Sequence, residues 1–256
     1  MLDRERYLPK DWTDDRDRCR QAGVPEDRRL TTTPQLAPRV LARAFAASVP
    51  AAWVAGDRVY GDDRRLRRWL ESLPQASVLA VSGKECVWLG WWQRQVQPIL
   101  AALPADGWVR LRAGDGAKGP RWYDWCRLPL ADPREPTWRR GLLVRRGVSD
   151  PTDLAADVAF APQGTPLEQV VRVAGARWTI ESGFEAAKSE VGLDHYEVRS
   201  GTGGYRPITL VMWALARLAV LRAGAIAVEL LKKSPRRSQA PSSLAAFKAS
   251  RGLRSP

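Results

Sequence analysis

The sequence predicts an α/β fold with a β-rich insertion, and three patterns carry this prediction. The apolar run AAWVAG (51–56) is followed by an amphipathic helical pattern and then by a second apolar run, SVLAV (77–81). Strand-like runs follow one another from about 84 to 160, and a helical period returns after Thr165. Strand–helix–strand order indicates an α/β layer, and the block of consecutive strands indicates an insertion into it.

The N-terminal segment is predicted to open with a weak edge strand. MLDRERYLP (1–9) alternates apolar and charged residues, which is the period of a half-buried strand. The polar segment 10–33 is predicted to be a loop. PQLAPRVLARAFAASV (34–49) has a helical pattern, and Pro38 is expected to push the start of the helix downstream.

Asp57 directly follows the first apolar strand. A carboxylate at the end of a strand is held by a rigid sheet and is well placed for metal or phosphate chemistry. Aspartate in such a position also forms turns and caps helices, and the helical pattern DDRRLRRWLESL (62–73) begins soon afterwards. Position alone leaves both interpretations open.

The block from 84 to 160 contains seven of the twelve tryptophans. Tryptophan side chains stack on exposed bases, at about 1–3 kcal/mol per base, or fill a β-core. We expect most of the seven to be core residues. GDGAKG (114–119) matches a Gly-x-Gly-x-x-Gly pattern without the strand–helix context of a dinucleotide site, so a loop or hairpin turn is predicted there.

Composition restricts the chemistry and the partners. The formal net charge of +13 and the pI of about 10.4 favour a polyanionic partner, nucleic acid first and an anionic membrane second, unless arginine is simply abundant in the source proteome. Three isolated cysteines and a single histidine, His195, argue against a structural zinc site and a Ser-His-Asp triad. The charged N-terminus lacks a signal-peptide pattern, so a cytoplasmic location is expected.

The C-terminal region is predicted to be helical and then disordered. PITLVMWALARLAVLRAGAIAVELL (207–231) is long enough to span a membrane, but its charged residues favour a buried core helix. The segment 232–256 carries seven basic and no acidic residues and is expected to be a disordered basic arm.

Three charged residues mark the helix predicted before it. At 100° per residue, Arg177, Glu181 and Lys188 fall at about 0°, 40° and 20°, which forms one polar stripe. The spacing by itself is also that of an Arg177–Glu181 surface ion pair.

The segments 177–200 and 205–210, RWTIESGFEAAKSEVGLDHYEVRS and YRPITL, resemble the C-terminal catalytic region of bacterial insertion-sequence transposases of the DDE type. The similarity is greatest to insertion-sequence family seven-oh-one. The wider group has a Tyr-x2-Arg-x3-Glu-x6-Lys signature, in which Arg177, Glu181 and Lys188 keep the spacing and Ala174 replaces the tyrosine. AAWVAGDRVYG (51–61) resembles the strand that carries the family's second Asp, here Asp57.

The resemblance implies an incomplete RNase H-like core with a β-rich insertion. It divides the chain into part of the core (1–83: third strand, helix, second-Asp strand, helix, strand), the insertion (84–163), the helical part with the Glu helix (164–231) and the basic tail (232–256). The implied partners are transposon-end and target DNA and a second copy of the chain, without a membrane, in the nucleoid-associated cytoplasm.

The resemblance also implies a chemistry and its residues. Asp57 and Glu181 would be catalytic ligands of Mg²⁺ or Mn²⁺ in two-metal phosphoryl transfer, for which carboxylate oxygens are suitable ligands. The implied DNA-binding residues are Arg177, Lys188, Arg199, Tyr205, Arg206 and Lys118.

The family's first catalytic Asp has no counterpart in this chain. That Asp lies on the first strand of the family's sheet, upstream of the residues matched here. The resemblance therefore predicts an N-terminally truncated transposase that lacks strand-transfer activity by itself. The alternative is a catalytically inactive remnant that still binds DNA.

Overall fold

A computed structural model describes residues 3–116, 119–131, 136–195 and 200–233. Within these residues the chain forms a mixed α/β fold, as predicted. The helices are α1 (Lys10–Asp14), α2 (Arg16–Gln21), α3 (Thr33–Ala46), α4 (Arg58–Gly61), α5 (Arg64–Ser72), α6 (Val96–Ala101), α7 (Leu167–Ala176), α8 (Thr179–Ser189) and α9 (Gly201–Lys233). The strands are β1 (Val54–Gly56), β2 (Ser77–Val81), β3 (Cys86–Leu89), β4 (Trp92–Gln95), β5 (Val109–Gly116), β6 (Gly119–Pro129), β7 (Trp138–Gly147) and β8 (Leu154–Pro162).

Six strands form one mixed sheet in the order β1-β2-β8-β7-β6-β5. β1 pairs with β2 in parallel, and every other pair in this sheet is antiparallel. Strands from both sides of residue 83 therefore share one sheet through the β2–β8 pair. Gly114, Gly116 and Gly119 of GDGAKG belong to the β5–β6 hairpin, whereas Ala117 and Lys118, on which the predicted turn falls, lie outside the described residues.

Each face of the sheet is covered by a different helix, because successive side chains along a strand point to opposite faces. On one face, α6 packs on a cluster that contains Leu142, Val144 and Val158. On the other face, α7 packs through Val170 and Val171 on a cluster around Leu143, Trp125 and Ala159. This second face also carries the candidate site.

The N-terminal segment differs from the prediction. Residues 3–9 form no strand, and the segment predicted as a loop contains α1 and α2, which pack around the buried Cys19. α3 begins at Thr33, upstream of the predicted start, and includes Pro38. The backbone N–H of Thr32 donates a hydrogen bond of 2.9 Å to the Gln35 side chain, which stabilises this earlier start.

The expectation that most insertion tryptophans are core residues is wrong. Of the seven, Trp125 alone is buried, and Trp91 is 93% exposed. Trp88, Trp91 and Trp92 lie on the β3–β4 hairpin, which packs on the large sheet through the buried Val87 and leaves these three tryptophans exposed.

The prediction of a buried core helix for 207–231 is also wrong. α9 leaves most of its described apolar side chains exposed, including Leu210, Trp213 and Val220, because its packing against the described residues is confined to its N-terminal part. Gly203–Glu229 is long and apolar enough to cross a membrane by length and composition, with 11% of the most apolar stretch buried. The predicted disordered arm lies outside the described residues from 234 onward.

Candidate functional site

A cavity of about 420 Å³ lies on the α7 face of the sheet, where β1 ends. Its lining combines two carboxylates, three arginines and three aromatic residues with small side chains between them. The charged residues are Asp57, Asp157, Arg58, Arg145 and Arg177, and the aromatic residues are Tyr123, Trp125 and Trp178.

The two carboxylates belong to one row across the sheet. Gly56 is the last β1 residue paired with β2, opposite Leu79, so Asp57 follows at the level of Ala80. Ala80 in turn pairs with Asp157 on β8. Two strand spacings separate the ends of the row by roughly 9.5 Å between Cα atoms. All three residues line the cavity.

Asp57 both caps a helix and lines the cavity, so the two interpretations left open by its position are compatible. It is the N-cap of α4, and its Oδ1 accepts a hydrogen bond of 2.9 Å from the Val59 backbone N–H. α4 lies against β2 so closely that a Cβ at Gly61 would overlap the Ala80 carbonyl oxygen. The side chain that caps the helix is thereby held at the rim of the cavity with its second oxygen uncommitted in the described contacts.

Asp157 is the buried carboxylate of the site, with 9% of the residue exposed. Burial raises its pKa from 3.8 to about 6, and the positive charges of Arg177, Arg145 and Arg58 oppose this rise. The sequence analysis missed Asp157, because DVAFA was interpreted only as a strand. A lone carboxylate within an otherwise apolar buried strand was the signal that could have identified it.

The cavity arginines differ in how many contacts they already make with other protein groups. An Nη atom of Arg145 lies 3.2 Å from the Asp153 carboxylate, and its guanidinium lies 4.6 Å from the Tyr123 ring centroid. Its Nε and the Trp125 Nε1 are buried without a hydrogen-bond partner in the described structure. Arg58 is exposed at the rim. The cavity thus presents N–H donors together with positive charge, which is the chemistry that binds phosphate oxygens.

Arg177 lies at the junction of α7 and α8, where Arg177 and Trp178 keep right-handed helical backbone angles. α7 ends at Ala176 and α8 begins at Thr179, with i to i+3 hydrogen bonds between them. The predicted single helix is therefore divided at Arg177, which lines the cavity, while Glu181 and Lys188 are exposed on α8 and do not line it. No Arg177–Glu181 ion pair forms in the described structure.

The other predicted DNA-binding residues do not converge on this cavity. Tyr205 and Arg206 lie at the start of α9, where the Arg4 guanidinium is 5.3 Å from the Tyr205 ring centroid. Lys118 and Arg199 lie outside the described residues. Of the residues predicted from the sequence, the structure brings together Asp57 and Arg177, and it adds Asp157, Arg58 and Arg145.

The donor set of the cavity fits a divalent metal ion in part. No group of three or more His, Cys, Asp or Glu side chains is placed to hold a metal within the part of the chain that the structure describes. Mg²⁺, however, commonly uses one or two carboxylates together with water and substrate phosphates. Asp57 and Asp157 supply two carboxylates, and the absence of a hydrogen-bond donor to Asp157 among the described residues leaves its oxygens available.

Residues 1–113 match the family model of the DDE superfamily endonucleases. No curated protein matches the chain. The match includes β1, Asp57 and β2, and it supports a DDE-type transposase or endonuclease. The mixed α/β fold with its curled sheet is consistent with a DDE nuclease-like fold.

Proposed function

We propose that this chain functions in DNA transposition as part of a DDE-type nuclease with an RNase H-like core, in which transposon-end DNA is cut and joined at the Asp57 cavity. One observation carries the proposal. The strand-end aspartate within the matched region lies at the rim of a cavity that also holds three guanidinium groups. A carboxylate beside several phosphate-binding groups suits phosphoryl transfer, in which positioning and charge stabilisation dominate.

In this proposal each charged group has a distinct role. Asp57 holds a divalent metal ion, which when bound polarises a phosphoryl oxygen and activates the attacking oxygen. Arg58 and Arg177 bind the phosphates on either side of the scissile bond. Glu181 lies in the first turn of α8, just beyond the junction at Arg177, and its proposed role is that of a further metal ligand.

Cleavage of transposon-end DNA in Mg²⁺ or Mn²⁺ tests this function. Asp57→Asn is expected to lower the cleavage rate at least tenfold, since it removes a carboxylate charge, while asparagine can still cap α4. Asp106→Asn, at an exposed loop position, is the matched control and should leave the rate unchanged. Equal cleavage by wild type and Asp57→Asn would exclude Asp57 from the chemistry.

The second candidate is a catalytically inactive DNA-binding protein, which the high positive charge favours. It predicts that the logarithm of the DNA-binding constant falls linearly with the logarithm of the salt concentration, with a slope of roughly −0.9 for each phosphate contacted. It also predicts that binding needs no metal. Binding unchanged by EDTA together with no cleavage in either metal would establish this alternative.

The β3–β4 hairpin provides a separate test of DNA contact. Trp91 and Trp92 are 93% and 72% exposed, and Arg94 lies on the same hairpin. Base stacking contributes about 1–3 kcal/mol per aromatic residue, so replacing both tryptophans by alanine should weaken binding of single-stranded DNA at least about tenfold. Fluorescence anisotropy measures this, with Leu73→Ala, an exposed apolar position elsewhere, as the control. Unchanged affinity would remove the hairpin from the DNA-binding surface.

A further inference from the structure

We propose that Asp157 and Asp57 together bind one divalent cation in the cavity, with Asp157 as its buried ligand. The family match ends at residue 113, so nothing in it assigns a role to Asp157. The inference rests on the proposed function, which supplies the role of the bound cation in phosphoryl transfer. Its test is metal binding and requires no DNA cleavage.

The register places the two carboxylates at a suitable separation. Their Cα atoms are roughly 9.5 Å apart across Ala80, and residues in one row point to the same face of the sheet. Both side chains leave the row on the same face and line one cavity, so an oxygen of each can turn toward a shared cation, which Mg²⁺ binds at about 2.0–2.1 Å from each oxygen. The methyl group of Ala80 between them leaves the space open.

Asp157 differs from the other well-covered carboxylates of the protein. The side chains of Glu5, Glu71, Glu85 and Asp124 are at most 13% exposed, and each lies 2.5–2.9 Å from an arginine nitrogen. Asp157 has no such ion pair and no hydrogen bond from a described residue, although three arginines line the same cavity. A buried carboxylate normally has a partner, so the lack of one among the described residues points to a bound ligand.

The charges around the cavity allow a cation to bind. Arg145 is paired with Asp153, which compensates its charge locally. The remaining guanidiniums, Arg58 and Arg177, are balanced by the two aspartates. A divalent cation therefore adds two positive charges that DNA phosphates can neutralise, and the metal should bind modestly on its own.

Titration of the full chain with Mn²⁺ by isothermal calorimetry tests the site. The wild type is expected to bind Mn²⁺, and Asp157→Asn and Asp57→Asn should each weaken the affinity at least tenfold. Asp106→Asn should bind as the wild type does. Tb³⁺ luminescence excited through tryptophan supplies an independent readout, because Trp125 and Trp178 line the cavity. It should fall in the same two variants.

The outcomes separate this inference from the proposed function. Wild-type affinity in Asp157→Asn, or no Mn²⁺ binding by the wild type, would overturn the site even if DNA is cleaved. Weakened Mn²⁺ binding in both variants without DNA cleavage would support the site and count against the proposed function. Asp157→Ser, read by the same titration and checked by circular dichroism, replaces Asp157→Asn if the latter folds poorly.

Discussion

Gly175→Ala is expected to destabilise the protein by about 3 kcal/mol, at the upper end of the usual cost of overpacking. A Cβ at Gly175 would overlap the backbone carbonyl of Ala113 on β5, and backbone cannot move aside as a flexible side chain can. The gain of about 1 kcal/mol that alanine usually brings to a helix interior is too small to offset this overlap. Urea denaturation followed by circular dichroism measures the change in the free energy of unfolding.

The chain contains a matched control for this substitution. Gly183 lies inside α8, and a Cβ there would meet nothing within 4 Å. Gly183→Ala should therefore raise the free energy of unfolding by up to about 1 kcal/mol, from helix propensity alone. If both substitutions stabilised the protein equally, the close contact between α7 and β5 would be contradicted.

The contact between α7 and β5 also places a site residue. Arg121 donates a hydrogen bond of 3.1 Å from Nη2 to the Gly175 carbonyl, just before the junction that carries Arg177. A displaced α7 would carry Arg177 away from the cavity. Gly175→Ala should accordingly weaken DNA binding even under conditions where the variant is fully folded, whereas Gly183→Ala should not.

Asp157→Asn is expected to stabilise the metal-free protein by up to about 3 kcal/mol at pH 8. Burial raises the pKa of Asp157 from 3.8 to about 6, against the opposing charges of Arg177, Arg145 and Arg58. The interval between these two values, at about 1.4 kcal/mol per pKa unit, corresponds to about 3 kcal/mol. Asparagine has a similar shape and carries no charge to bury.

The sign of the pH dependence follows from the direction of this shift. A carboxyl whose pKa is higher in the folded protein binds its proton more tightly there than in the unfolded chain. Its contribution to stability is therefore complete below about pH 4 and is lost as the pH rises through about 6. The advantage of Asp157→Asn should be close to zero at pH 4 and largest above pH 7.

Denaturation of both proteins in EDTA at pH 4, 6 and 8 measures this difference. Paired carboxylates contribute equally to the two proteins and cancel. At Glu85, for example, burial raises the pKa, but hydrogen bonds from Arg67 and Arg64 outweigh it and hold the pKa below its ordinary value. A variant that is less stable than the wild type at pH 8 would mean that the carboxylate has a native partner. Greater stability of Asp157→Asn at pH 8 is the result expected for a functional residue whose charge destabilises the folded protein when its ligand is absent.

The sequence by itself determined those helices and strands for which the apolar periodicity and the flanking residues indicate the same secondary structure. β1, α5, β2 and the β-rich block all form as predicted, because apolar runs and amphipathic patterns specify local structure where the burial is also local. Asp57 could be selected as a candidate for the same reason, because the neighbouring residues show that it ends an apolar strand and begins a turn.

Only the tertiary structure decided which side chains meet. Asp157 is a hundred residues from Asp57, and the two enter one row only through the pairing of β2 with β1 and β8. Arg177 and Glu181 share a helical spacing in the sequence, yet only Arg177 of the two lines the cavity. The exposure of α9 and of the tryptophans on the β3–β4 hairpin was also decided by the tertiary structure. An apolar pattern shows which surface can be buried, but long-range packing decides whether another part of the chain covers that surface.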